Sequence, residues 1–271
     1  LEIAKNKNYI SCYIKTLYSI AHIERHRGNA LKISYEFYAK TIEVASSLNQ
    51  LDFIVRGYIG CISIALIQGD YTYNYEKQFT EIFKLVENTN LNSSLRAYCY
   101  KYYARYKLRF KDIDCAYEYY TKSERIYKFN NSRKLYYLYF DWAEYFRYIG
   151  DVEKSSNYYN RCIAFAKNNN ENNLIIYSRT GLLLSSLKNK FDKDDALAEC
   201  SELLEFSNKA NTITIKGQLQ LIRYFLSGEL RSQYNVLLNY FKVNELYNEV
   251  HLLKNESHIR DVITKLPINL A

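Results

Sequence analysis

His22 and His26 stand four residues apart in Ala21-His22-Ile23-Glu24-Arg25-His26, a spacing that puts both rings on one face of a helix and could hold a metal ion. The zinc-protease pattern needs Glu directly after the first His, and Ile23 occupies that place. No third ligand is identifiable, and Arg25 sets a cation beside the pair, so the two residues read as solvated or groove-lining histidines and not as a metal site. No stretch has the form of a nucleophile elbow, a P-loop or a dinucleotide-binding glycine motif. With 8 Gly scattered over 271 residues, the chain has little means of cradling a phosphate on backbone N–H groups. Acidic pairs lie on long amphipathic stretches, where they solvate a face. The expectation is a protein that is not an enzyme, with no catalytic residues, no metal and no cofactor.

The remaining chemistry is recognition. Lys and Arg number 37 against 29 acidic residues, a formal charge of +8, and Tyr reaches 30. Guanidinium forks pair with carboxylates, and Tyr rings supply rigid contact area. The same two residue types suit phosphates and stacked bases, but the charge excess is modest and no dense Lys/Arg run occurs, which argues against nucleic acid. Tyr, Asn, Lys and Ile all have AT-rich codons, so coding bias is a sufficient source of the tyrosines. It does not explain where they sit.

The elements that must position these residues are helices. One Pro and 8 Gly are far too few for the many turns of a sandwich, barrel or propeller, while 48% hydrophobic and 24% charged residues make an ordinary globular chain. The longest apolar runs, 59–67 and 180–187, are interrupted by Ser and Cys and fall short of the roughly 18 residues of a membrane helix. The start, LEIAKNKNYI, lacks a signal-peptide core. Cys12, Cys61, Cys99, Cys115, Cys162 and Cys200 form no CxxC pair and mostly fall within or beside apolar stripes, as expected of reduced residues in a cytoplasmic protein. The absence of Met implies that residues upstream of Leu1, a tag or a whole domain, are missing.

A repeat runs through the chain. Its clearest unit spans 135–167, where Tyr139, Trp142, Ala143 and Phe146 stripe one helix. Gly150-Asp151-Val152 makes a turn, and Ser155, Tyr159, Cys162 and Ala166 stripe a second helix. Small Ala143 and Ser155 let the two cross closely. Upstream, Tyr100, Tyr103 and Ala104 precede Lys111-Asp112-Ile113, then Ala116, Tyr120 and Ser123; Tyr58, Cys61 and Ile62 precede Gly69-Asp70-Tyr71; and Leu17, Ile20 and Ala21 precede Gly28-Asn29-Ala30. Weaker units turn near Phe191 and at Gly228. Turns at 28, 69, 111, 150, 191 and 228 set a period of 37–42 residues. Polar loops at 88–94, 130–133 and 168–173 separate the units, and 243–256 reads as a final helix covering the end of the stack.

This pattern resembles the tetratricopeptide repeat. The resemblance implies an all-α, right-handed superhelical solenoid of about six antiparallel helical hairpins over residues 1–242, with a C-terminal capping helix and tail over 243–271. In that family the first helix of each hairpin lines a concave groove where protein or peptide partners bind. By register, the groove positions are Lys15, Tyr18, His22 and Arg25; then Arg56, with Ile59, Ser63 and Leu66; then Tyr98, Lys101, Arg105 and Arg109; then Tyr137, Phe140, Glu144 and Arg147. Gln218 belongs to a sixth, mostly apolar set that could instead be packed under the final helix. The implied function is a protein- or peptide-recognition domain, the sensing or interaction module of a larger bacterial regulator or defence protein, with a basic, Tyr-lined groove for an acidic segment. The alternatives are a scaffold contacting its own missing domain and a nucleic-acid-binding helical repeat.

Overall fold

Four of the sequence turns bend through a left-handed residue. Gly69, Gly150 and Gly228 have φ of 75°, 88° and 73°, and Lys111, which stands where the other turns have Gly, has φ of 63°. The residue that follows starts the next helix: Asp112 accepts from the Cys115 N–H at 3.3 Å and Asp151 from the Lys154 N–H at 3.0 Å. Asp192 does the same for Asp194 at 2.8 Å, next to the expected turn at Phe191. Asn131 and Asn170, in the polar loops, also adopt positive φ.

The computed structural model describes residues 7–27, 31–69, 74–87, 92–189, 191–210, 212–228 and 233–268; the Gly28-Asn29-Ala30 turn and the segment 70–73 lie outside them. These residues form helices and no strand. The chain divides into two compact units, Leu1–Ile126 and Tyr127–Leu270.

The first unit contains α1 (Lys7–Arg27), α2 (Leu31–Ser47), α3 (Leu51–Gln68), α4 (Glu76–Glu87), α5 (Ser93–Arg109) and most of α6 (Ile113–Phe129). Neighbours in sequence pack against each other, and α3 also touches both α1 and α5, so these three alternate helices share a layer. The second unit contains α7 (Lys134–Ile149), α8 (Val152–Asn169), α9 (Asn172–Ser186), α10 (Lys193–Ala210), α11 (Ile213–Ser227), α12 (Tyr234–Val243), α13 (Tyr247–Asn255) and α14 (Ile259–Lys265). There α7 packs on α8 and α9, α8 on α9, and α10 on α9 and α11. The described residues are thus all-α, and within each unit helices pack in adjacent pairs, as in a solenoid.

Small residues set the crossings. Ser155 Oγ donates to the Ala143 carbonyl at 3.0 Å, and Ser34 and Ser123 do the same for Ala21 and Ala97 at 2.7 and 2.8 Å. Gly60 in α3 lies under the ring of Tyr38 from α2; a Cβ there would come within 2.4 Å of that ring. Gly181 in α9 lies under Tyr159 from α8 in the same way, at 2.2 Å. The two pairs share one sequence offset, as a repeat requires.

Two expectations are corrected. The single final helix expected over 243–256 is instead the end of α12 and the whole of α13, because Glu245 breaks the run at φ 56°, and the short α14 follows after Glu256-Ser257-His258. Also, α3 is long and apolar enough to cross a membrane by length and composition, although 61% of it is buried inside the fold. Asp52, Arg56, Gly57, Gly60 and Ser63 interrupt the apolar run without lowering its average enough to exclude it.

Replacing Lys111 by Gly removes left-handed strain at an exposed turn, so stability should rise by about 0.5–1 kcal/mol, measured as a higher urea midpoint at unchanged slope. Gly60→Ala should cost about 1–3 kcal/mol by overpacking. Its cost should shrink in a Tyr38→Ala background, measured as a double-mutant cycle.

Candidate functional site

Arg25 is the centre of the first unit's inner layer. Its side chain is 3% exposed on α1 and reaches across to both other helices of the layer. Nη1 donates to Ser63 Oγ of α3 at 3.0 Å and to the Tyr102 hydroxyl of α5 at 3.1 Å, while Nη2 lies 3.3 Å from His22 Nδ1. Nε has no hydrogen-bond partner among the described residues. Among the described residues every group that Arg25 meets is therefore neutral in its ordinary state, and no carboxylate pairs with this buried cation.

More positive charge surrounds it. Lys101 lies over the rings of Tyr98 and Tyr102, 5.5 and 4.9 Å from their centroids, and the Arg105 guanidinium lies 4.9 Å from the Tyr102 centroid. Tyr98 and Tyr102 pack at 4.8 Å, and Tyr18 stacks on His22 at 5.9 Å. Arg56 sits at the edge with Asp52, which accepts from its Nε at 2.7 Å.

The titrations follow from this crowding. Burial first, then Arg25, Arg56 and Lys101, pull His22 down to about 3, so it is neutral at physiological pH and can accept from Arg25. Burial pushes the Tyr102 phenol up, but Arg25, Lys101 and Arg105 more than offset it and bring it down to about 7. Burial lowers the Arg25 pKa, while the phenol oxygens of Tyr102, Tyr38, Tyr98 and Tyr18 carry it well above its usual value. The site is a place where negative charge is favoured.

The layer brings together Tyr18, His22, Arg25, Arg56, Tyr98, Lys101 and Arg105 from three helices. Lys15 stands exposed a turn away on α1, and Arg109 is half-buried at the end of α5. The side chain of His26 lies outside the described residues. Ile59 and Leu66, also assigned to the groove, are core residues at 0% and 4% exposure, because α3 is enclosed on nearly every side. Tyr102 was missed, although it lies four residues from Tyr98 and three from Arg105. Tyr recurs so densely along α5, at 98, 100, 102, 103 and 106, that periodicity does not single out a face.

The second unit treats its charged residues differently. Arg147 is buried and donates to Glu144 at 2.7 and 3.1 Å, and also to the carbonyls of Ile263 and Leu266 at 2.9 and 2.8 Å. Glu144 accepts further from Tyr159 and from the Ile268 N–H, and Gln218 donates to the Pro267 carbonyl. Glu144 and Arg147 are thus closed off by the chain's own C-terminal segment, a correction to their placement in an open groove. Phe140 is fully buried, and Tyr137 is half-buried beside Glu171, its phenol pushed up to about 12 by burial and by that carboxylate.

No family model and no curated protein matches the chain. Among solved structures it is similar to BtubC (BKLC) from P. vanneervenii, at a TM-score of 0.53 and 15% identity over 89% of this chain and 94% of that one. The likeness is one of helical fold. The site residues rest on geometry alone.

The lowered Tyr102 phenol can be observed directly. An ultraviolet pH titration should show one phenolate appearing near pH 7, well before the other tyrosines, and Tyr102→Phe should remove that step. In Arg25→Gln the step should move to higher pH, since the first of the stabilising cations is gone.

Proposed function

We propose that the chain is a tetratricopeptide-like recognition module, and that the inner layer of its first unit holds acidic side chains of a peptide or protein partner. The observation that carries this reading is Arg25: a guanidinium 3% exposed, with Nε unpartnered and no carboxylate opposite it among the described residues. A buried charge without a counter-charge is costly, and the nearest relief inside the fold is a phenol drawn toward ionisation. An external carboxylate entering between Lys101, Arg105 and Arg56 would supply the missing charge. Tyr18, His22 and Tyr98, all half-buried, would give it apolar walls. Neutral His22 offers a hydrogen-bonding edge without adding to the repulsion.

An acidic segment is favoured over nucleic acid because the cations converge on one point instead of tracking a line. Neutralising successive phosphates needs a stripe of charge along the backbone path.

A fluorescein-labelled Glu-rich peptide of mixed aromatic and acidic composition should bind the protein. Binding should weaken at least tenfold in Lys101→Gln/Arg105→Gln with helicity and melting unchanged, since each charge-assisted hydrogen bond is worth about 1.5–3 kcal/mol. Unaltered binding in that variant would remove the assignment. A single-stranded oligonucleotide bound more tightly than the peptide, with an affinity falling by orders of magnitude as salt rises, would replace it with the nucleic-acid reading.

A further inference from the structure

The last described residues, 266–268, leave α14 in extended form and run through the inner face of the second unit. Leu266, Pro267 and Ile268 are all buried. Their backbone groups are held one by one. The Leu266 N–H closes the end of α14 on the Val262 carbonyl at 2.8 Å. The Leu266 carbonyl accepts from Arg147, the Pro267 carbonyl from Gln218 at 2.8 Å, and the Ile268 N–H donates to Glu144 at 3.1 Å. Pro267 itself has no N–H to satisfy, so only its carbonyl needs a partner. Leu266 and Ile268 fill the apolar space on either side, at 1% and 3% exposure.

The grip is on main chain, by three polar side chains from α7 and α11, over a distance of 49 to 124 residues in sequence. A tail needed only to cover a core could be held by apolar contacts. A buried ion pair adds little net stability over hydrophobic residues of the same volume, but oriented donors and acceptors select a backbone direction and register. The tail therefore has the form of a bound ligand.

We propose that this face is a binding site for an extended peptide of aliphatic–proline–aliphatic sequence, and that the chain's own Leu266-Pro267-Ile268 occupies it as an internal mimic that a partner protein's segment must displace. Arg147 and Gln218 read two successive carbonyls, and Glu144 reads the N–H that follows. The proposal is independent of the acidic site in the first unit, which uses none of these residues.

The test uses the full chain with Leu266→Glu and Ile268→Glu, which should expel the tail, and a fluorescent peptide carrying the sequence of residues 263–271. The peptide should bind this variant at least a hundredfold more tightly than wild type. Adding Arg147→Gln, or methylating the peptide nitrogen that corresponds to Ile268, should weaken binding at least tenfold. Absence of binding to a variant that keeps its helical signal overturns the proposal, as does binding indifferent to both changes. If the double variant fails to fold, a flexible Gly-Ser insertion between Glu256 and Ser257 leaves the tail intact but lowers its effective concentration. Excess peptide should then exchange onto the site, and failure to exchange is equally decisive against it.

Discussion

A tyrosine ring seated over a glycine sets the spacing on which both inner faces depend. Tyr38 over Gly60 and Tyr159 over Gly181 let successive helices approach to a distance that a methyl group would prevent. Each ring is fully buried, so each contact is rigid on both sides. The same two tyrosines stand behind the charged residues of their units: the Tyr38 phenol lies in the field of Arg25, and the Tyr159 hydroxyl donates to Glu144. Spacing and polar chemistry therefore share a residue.

The two units resolve buried charge in opposite ways. Arg147 is saturated, with a carboxylate and two carbonyls as partners. Among the described residues Arg25 meets a hydroxyl, a phenol and a neutral imidazole, with one nitrogen unpartnered. A saturated arginine stabilises a packed arrangement, whereas an unsaturated one stores a demand for an anion. Lowering of both His22 and Tyr102 expresses that demand: one group gives up a positive charge and the other is drawn toward a negative one. The ionisable neighbours have adjusted as far as a site with no carboxylate beside Arg25 among the described residues allows.

Much of this was legible locally. Gly69, Gly150 and Gly228 marked turns because a left-handed residue without Cβ carries no penalty, and Lys111 could be placed by analogy despite being the wrong residue for that conformation. Ala143 and Ser155 announced a close crossing. Tyr18, Arg25, Tyr98 and Arg105 were assigned to one face by register, and they do converge. Tyr102 escaped because α5 carries tyrosine on nearly every side, so its pattern held no preferred direction.

Helical class, hairpin spacing, turn positions and the face carrying each basic residue were determined by the sequence itself, because they depend on neighbours within a few residues and on steric rules of the backbone. Tertiary structure alone decided what meets each of those faces. Arg147 and Arg25 occupy matching register positions, yet a segment more than a hundred residues downstream closes over one, while the other faces groups from α3 and α5 that leave its charge unpaired. Periodicity reports which way a side chain leaves its own helix. What meets it there is set by contacts between distant segments, and those appear only when the chain is folded.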